Sequence, residues 1–437
     1  MHHGIVPNPP DERRSRVEPG DVKLFYKAES TGISRFRIIF SRFGGIDPEP
    51  KNRTRTRVRR NQEVDVKRSL TALCLAMVVG GVAQTAVAED IVVLQVAPGA
   101  TKDGTVGWQL QMGAKSWFDE VNVRGGIGGK QIKLLSVDET GDVSVQVKAL
   151  IKEHQPAVLF GTVGSASVQK LLADKVLDST QVPLIGPRTG AGVIANDKKA
   201  DLVFLTRPSY ADEMDKVMKQ LATIGIRKFV VFHSEDITGL ELRDLAKAVA
   251  AKQNQTVVAA VAQPRDLGKI APLADAVVEK EHQAVLLAVE APAAAAFVKR
   301  YRELGGSGQL VAMSTVEGVR LAEMAGAKAS RGVAVSQVAP NPRNEAYAVV
   351  REFTTNYRKY GPYTEEPTQA MMEGYLAAKV ISEGLKRGGG KAGLARAVSG
   401  MSSYDVGGVT YSFGSASRSG AKYIEMSVID KDGRVTR

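Results

Sequence analysis

Short apolar runs alternate with longer amphipathic segments from residue 91 to residue 313. The runs have the length and the Val, Ile and Leu content of buried β-strands, and between them apolar residues recur every three or four positions, as on the buried face of a helix. Strict alternation of strands and helices predicts parallel sheets covered by helices on both faces. The predicted strands are 91–96, 131–138, 158–160, 182–185, 202–206, 228–232, 256–262, 284–289 and 309–313. The helix after 158–160 is marked by Val168, Leu171, Leu172 and Val176.

The pattern changes after residue 336. Two amphipathic stretches, 347–360 and 368–385, predict helices, and the glycine-rich segment 387–393 predicts a loop. Two apolar segments near the end of the chain, 406–414 and 422–430, predict an antiparallel pair of strands.

This many strand–helix units exceed one modest sheet, so we predict an α/β fold with two doubly wound parallel-sheet lobes. The strands are interrupted at 206–210, where Pro208 separates a strand from a helix, and we place the first crossing between the lobes there. More crossings are expected, which would form a multi-strand hinge with a ligand cleft between the lobes. The predicted lobes are 89–207 with 338–415, and 208–337 with 416–437.

Loops of small and hydroxyl-bearing residues follow two neighbouring strands, 158–160 and 182–185. In a parallel sheet both loops lie at the carboxyl edge, where open α/β folds bind ligands. The first loop also opens a helix, whose unpaired N–H groups favour an anion such as a carboxylate. Serine is a preferred helix cap, so capping is the alternative role of each serine. The candidate ligand residues in these loops are Ser165, Ser167, Arg188, Thr189 and Gly190.

Acidic residues follow three strands of the second predicted lobe. They are Glu290, Glu317 and Asp236, and the topology places them opposite the hydroxyl-bearing loops. A carboxylate there would pair with a ligand ammonium. The alternative is that each one only interacts favourably with the N-terminus of the helix that it precedes. Tyr210, at the first crossing, is a further ligand candidate.

The sequence contains no pattern typical of catalysis or metal binding. His154, His233 and His282 are isolated from one another, and there is no Gly-x-Ser-x-Gly elbow and no phosphate-binding loop. The glycine-rich segment 123–132 follows a helix and precedes a strand, the reverse of a dinucleotide-binding fingerprint, and so predicts a helix C-cap and a turn. We therefore predict no catalytic residue, no metal, no cofactor and no enzymatic activity.

The formal net charge of +12 is unevenly distributed. Residues 1–68 carry 16 Lys or Arg and nine Asp or Glu, so +7 of this charge lies there. The remaining +5 is spread over the rest of the chain and does not indicate a nucleic-acid-binding surface.

A secretory signal peptide is predicted at 66–88. Lys67 and Arg68 precede an apolar run, 70–82, and Ala86 and Ala88 form an A-x-A cleavage site. The mature chain would begin near residue 89, lack cysteine and reside in the periplasm. Residues 1–65 are interpreted as a disordered or non-native leader before a later translation start, with a basic arm as the alternative.

Five motifs follow one another along the mature chain: DEVNVRGGIGGKQI (119–132), SVDETGD (136–142), FGTVGSASVQ (160–169), PLIGPRTGA (183–191) and TRPSYADEM (206–214). In this order and at these intervals, they resemble the periplasmic solute-binding proteins of ABC transporters, with the type I periplasmic-binding fold, in the leucine/isoleucine/valine-binding family. The resemblance extends from residue 89 to about residue 430.

The resemblance implies a ligand held between two lobes that are joined by three crossing segments. The first lobe would hold a carboxylate, and an acidic residue of the second lobe would partly hold an ammonium. Ser165 matches the serine of the family, and Arg188 to Gly190 match the second loop. Thr189 lies one place earlier than in the usual Ala-Ala-Thr pattern.

Two departures concern the second lobe. Glu290 falls where the branched-chain amino acid binders carry a tyrosine, and the acidic ligand residue of the family aligns with Ser314, or with Glu317 if a gap is allowed. These departures leave open whether the ligand is a branched-chain amino acid, another amino acid, an amide or a small aromatic acid.

The function implied is that of a monomeric periplasmic receptor without nucleic-acid partners. It would capture an amino acid of the branched-chain type, or a related small carboxylate or amide, and deliver it to an inner-membrane ABC permease. A periplasmic sensor of the same fold that feeds a signalling receptor is the alternative.

Overall fold

The computed structural model describes residues 89–197, 200–264, 266–361, 366–414 and 418–436. The predictions for 1–65 and for the signal peptide at 66–88 lie outside these residues. Within the described ranges, no helix combines the length and the apolar character needed to cross a membrane.

The chain from 91 to 204 builds a five-stranded sheet. Its elements are β1 (Ile91–Ala97), α1 (Val106–Val123), β2 (Ile132–Asp138), α2 (Val143–His154), β3 (Val158–Phe160), α3 (Ser165–Ala173), α4 (Val176–Thr180), β4 (Leu184–Ile185), α5 (Gly192–Ala195) and β5 (Val203–Phe204). All five strands are parallel, in the order β2-β1-β3-β4-β5. The helix predicted to include Val176 ends at Ala173, because Lys175 adopts a left-handed backbone conformation and Val176 belongs to α4.

The predicted C-cap at the end of α1 is confirmed. Gly125 and Gly126 have φ values of 96° and 73°, and the Gly126 N–H donates to the carbonyl oxygen of Val121 at 2.9 Å.

The next part of the chain builds most of a second sheet. Its elements are α6 (Tyr210–Thr223), β6 (Lys228–His233), α7 (Ile237–Lys252), β7 (Thr256–Ala262), α8 (Ala271–Val278), β8 (Ala284–Ala288), α9 (Ala291–Glu303), β9 (Gln309–Ala312), α10 (Gly318–Ala325), α11 (Ala327–Ser330) and β10 (Ala334–Gln337). Strand β10 was not predicted, because Ser336 and Gln337 interrupt its apolar pattern. Both are buried with polar partners, the Glu213 carboxylate for Ser336 and the Ser427 hydroxyl for Gln337.

The last part of the chain contributes to both halves of the molecule. Its elements are α12 (Ala348–Tyr360), α13 (Gln369–Gly388), α14 (Leu394–Ser399), β11 (Tyr404–Asp405), β12 (Thr410–Tyr411), β13 (Glu425–Ile429) and β14 (Val435–Thr436). The second sheet has the order β14-β13-β10-β9-β8-β6-β7. The predicted pairing of 406–414 with 422–430 is wrong: β12 pairs with β11, whereas β13 pairs antiparallel with β10 and β14. The partner of β13 was predicted wrongly because β10, with which it pairs, was not recognised in the sequence.

Helices α1 and α13 pack with their backbones in contact. A Cβ atom at Gly113 would overlap the carbonyl oxygen of Met371, and one at Gly374 would overlap that of Leu110. Glycine at both positions therefore lets α13 lie against α1, with most of its side chains buried. Glu373 is the neighbour of Gly374 in α13, so it lies at this close contact between the two helices.

The described chain crosses between the two lobes three times, after β5, after β10 and after β12; β11 and β12 form a separate two-stranded sheet. The predicted fold class, two parallel-sheet lobes joined by a multi-strand hinge, is confirmed. Residues that follow β3 and β4 in the first lobe contact residues that follow β6 and β9 in the second. The carboxyl edges of the two sheets therefore face each other, and the loops at these edges line a cleft.

Candidate ligand-binding cleft

The hydroxyl groups of Ser165 and Thr189 meet at the edge of the first sheet. Gly164, with φ at 97°, turns the chain so that Ser165 becomes the first residue of α3, and no side chain caps this helix. The Ser165 and Thr189 hydroxyl oxygens lie 2.8 Å apart, and both residues are buried. The alternative role of Ser165 and Ser167 as helix caps is therefore wrong. Ser167 lies apart from this pair and donates to Glu139 Oε1 at 2.7 Å.

The first turn of α7 reaches across the cleft to the first lobe. Thr238 Oγ1 lies 2.8 Å from Ser165 Oγ, and Glu241 Oε1 accepts a hydrogen bond from the Gly192 N–H at 2.6 Å. Residues three apart on a helix share one face, so Thr238 and Glu241 act from the same side. Our sequence analysis missed both residues. Thr238 could have been found, because a hydroxyl-bearing residue soon after a strand end is the signal that identified the loops of the first lobe.

Arg188 joins the second loop of the first lobe to the second lobe. Its Nη2 atom lies 2.5 Å from Glu317 Oε1 and donates to the carbonyl oxygen of Ser314 at 3.4 Å, while Nε lies 3.5 Å from Glu373 Oε1. The arginine side chain is only 5% exposed. Glu317 and Glu373 raise the pKa of Arg188 against the effect of burial, so the guanidinium stays charged.

A second buried arginine continues this ionic network toward the first crossing. Arg207 Nη1 donates to Glu373 Oε2 at 3.3 Å, and Nη2 lies 3.9 Å from Glu213 Oε2. Glu213 is fully buried and accepts hydrogen bonds from the backbone N–H of Ser314 at 2.7 Å, from its hydroxyl at 2.8 Å, and from the Ser336 hydroxyl. None of Arg207, Glu213 and Glu373 was among the candidates. A charged residue in the apolar stretch MMEGY of α13 was the available signal for Glu373.

The three acidic candidates have different surroundings. Asp236 caps α7 by accepting the Gly239 N–H at 2.8 Å, which is the alternative that its position suggested. Glu317 adopts a φ of 57° and pairs with Arg188; burial raises its pKa although Arg188 acts in the opposite direction. Glu290 does not cap α9 with its side chain. It keeps exposed surface, but the cleft walls around it disfavour the charged form and raise its pKa to about 7.

Gly190 and Tyr210 connect the second loop to the start of α6. The Gly190 carbonyl oxygen accepts the Tyr210 N–H at 2.7 Å, and a Cβ at Gly190 would lie 2.9 Å from both Pro208 O and Tyr210 N. The buried Tyr210 ring lies 5.8 Å from the Arg207 guanidinium carbon. These contacts hold the second loop against the start of α6.

The polar groups of the cleft are suited to hydrogen bonding with a solute, and among the residues that the structure describes Ser165 has no base beside it. Among the described residues, the Ser165 hydroxyl contacts only the hydroxyls of Thr189 and Thr238, so it lacks the neighbouring base that activates a nucleophile. His233 and His282 bond to Ser234 and Tyr301, respectively, outside the cleft cluster. In the part of the chain that the structure describes, no three His, Cys, Asp or Glu residues are grouped to hold a metal ion.

The sequence profile of the family described as periplasmic binding protein matches residues 91–434. A substrate-binding periplasmic protein from Ralstonia solanacearum shares 32% identity, with 79% of this chain and 99% of that chain covered and a TM-score of 0.74. An extracellular ligand-binding receptor from Verminephrobacter eiseniae shares 25% identity, with 80% and 100% covered and a TM-score of 0.74.

A possible leucine/isoleucine/valine-binding protein from Rhodopirellula baltica has the same fold at 18% identity, with 81% of this chain and 98% of that chain covered and a TM-score of 0.72. No curated protein sequence matches the chain.

Proposed function

Because the chain belongs to the family described as periplasmic binding protein, we propose that it is the substrate-binding component of an ABC transporter, of the leucine/isoleucine/valine-binding type. It captures a small carboxylate-bearing solute, an amino acid or a related acid or amide, and presents it to an inner-membrane permease. The ligand lies between lobe 1 (89–207 and 338–415) and lobe 2 (208–337 and 416–437).

The contact of Ser165 with Thr189 and Thr238 carries this proposal. The Ser165 hydroxyl oxygen lies 2.8 Å from the hydroxyl oxygen of Thr189 in the first lobe and 2.8 Å from that of Thr238 in the second. Their hydrogen bonds can be exchanged for bonds to a carboxylate, and bonds to a charged acceptor are stronger than those between neutral hydroxyls. A ligand that touches both lobes favours the closed arrangement, because only that arrangement makes both sets of contacts.

We expect Ser165→Ala and Thr189→Ala each to weaken binding of the solute by about 1.5–3 kcal/mol, the range for hydrogen bonds to charged groups. A thermal-shift screen of amino acids, amides and small acids identifies the solute, because a ligand of the folded state raises the unfolding temperature. Calorimetry then gives the affinity of each variant.

The matched control is Ser330→Ala. Ser330 is also fully buried and donates to the Gly326 carbonyl oxygen at 2.8 Å, far along the chain from the cleft loops. Its replacement should leave the affinity unchanged. Unchanged affinity in both cleft variants would place the ligand elsewhere and refute the proposal.

The proposed function requires export to the periplasm, and the predicted signal peptide can be tested separately. The basic and apolar segments before Ala86 and Ala88 predict cleavage after Ala88. N-terminal sequencing of the exported protein should therefore begin at or near Glu89. An exported form that retains residues 53–60 would contradict the signal assignment.

A further inference from the structure

The buried charges of the cleft do not balance. Three carboxylates and two guanidinium groups alternate from the second lobe, through the first, to the start of α6. Each arginine lies between two carboxylates, so this chain of ion pairs keeps one surplus negative charge. Its members, in spatial order, are Glu317, Arg188, Glu373, Arg207 and Glu213.

Glu290 adds a fourth carboxylate without a matching cation. Within the described residues, it makes no ion pair, and its side chain does not cap the helix that follows. Arg188 is the cation that most favours the charged form of Glu290, yet its guanidinium already pairs with Glu317 and Glu373. Glu317 already has a cation at 2.5 Å, so Glu290 is the carboxylate left to meet a charged group of the ligand.

We propose that Glu290 binds a cationic group of the ligand and that the ligand is a small amine with net positive charge, such as a basic amino acid. This inference rests on the proposed function, since it takes the cleft as the ligand site. A basic amino acid uses the hydroxyls of Ser165 and Thr189 for its carboxylate and still brings a net positive charge to the acidic cleft.

The electrostatic argument favours a cation over a neutral zwitterion. A carboxylate that lies near other carboxylates and has no cation of its own is unfavourable, because the like charges repel it and no opposite charge offsets them. A neutral zwitterion brings equal and opposite charges and leaves the surplus unchanged. An amine with net positive charge reduces the surplus negative charge. The site should therefore bind the cationic ligand more tightly than the zwitterion, and this difference in affinity is its selectivity.

The protonation of Glu290 gives the site a predictable pH dependence. The protein groups packed around the carboxylate, together with Glu317 and Asp236, favour its neutral form against Arg188 and Arg207 and raise the pKa of Glu290 to about 7. Because the cation needs ionised Glu290, the free protein must release a proton to bind it below that pH. Affinity should therefore fall as pH drops below 7, toward about tenfold per pH unit, and level off above it.

Lysine and norleucine, which differ by the side-chain ammonium, form the decisive pair of probes. For the full chain after export, calorimetry at pH 8 should show lysine binding at least about tenfold more tightly than norleucine. Glu290→Gln should weaken lysine binding by about tenfold to a hundredfold and change norleucine binding less than about twofold. Glu281→Gln, an exposed glutamate paired with Lys228, is the control and should change neither.

The pH profile of the unmodified protein supplies a second readout that does not depend on folding of a variant. Lysine should bind about tenfold more weakly at pH 6 than at pH 8, with proton release at pH 6. Equal binding of lysine and norleucine, both reduced by Ser165→Ala, would overturn the cation assignment and leave the proposed function intact. Absence of binding by amino acids and amines alike, or binding that ignores Ser165→Ala, would overturn the proposed function itself.

Discussion

Replacement of Arg207 by methionine should lower the free energy of unfolding by about 3–5 kcal/mol, the range for removing one partner from a buried ion pair. The Arg207 side chain is 2% exposed and lies between Glu213, which is fully buried, and Glu373. Methionine keeps the length of the side chain but leaves both carboxylates without this cation. Urea unfolding of the two proteins measures the difference.

An exposed pair on α6 provides the comparison. Lys219 lies 2.6 Å from Asp215, with side-chain exposures of 58% and 45%. Because water screens such pairs, Lys219→Met should cost less than about 1 kcal/mol. A similarly small loss for Arg207→Met would show that the buried network contributes little to stability.

Gly113→Ala should destabilise the protein by about 3 kcal/mol, at the upper end for overpacking, because the new methyl group would meet backbone and not a flexible side chain. The methyl group would overlap the Met371 carbonyl oxygen, and α1 and α13 would have to separate along a tightly packed interface. We expect a lower urea midpoint with little change in the slope of the transition.

Gly400→Ala is the matched control for this substitution. Gly400 has a φ of −84°, and its added Cβ would lie 3.4 Å from the nearest atom, the Arg396 carbonyl oxygen. Alanine there should be neutral or stabilising by a few tenths of a kcal/mol. If both variants unfold at the same urea concentration, the helices tolerate separation and the contact is not a constraint.

Strand ends were the most informative positions of the sequence. Apolar periodicity located β3 and β4, and topology alone then brought Ser165 and Thr189 to one edge. The same reasoning could not separate Glu290 from Glu317, because their difference lies in a contact across the cleft, the ion pair of Glu317 with Arg188.

The ionic network could not be predicted from the sequence either, because its partners lie far apart along the chain. Arg207 and Glu373 are 166 positions apart, and Glu213 and Ser314 are 101 apart. No local pattern links such pairs, since the three passages between lobes bring them together. Strand β10 was missed because its buried polar residues depend on the same long-range partners.

The direct contacts of Thr238 and Glu241 with the first lobe affect how well the closed form indicates that a ligand is bound. These hydrogen bonds form between protein atoms, so part of the free energy of closure is available to molecules that carry no cargo. Each kcal/mol from this source raises the ratio of closed to open unloaded molecules about fivefold. Under the proposed function, a permease that recognised only the shape of the closed lobes would also bind molecules without ligand. To discriminate, it would have to contact surfaces that differ between the ligand-bound and the ligand-free protein.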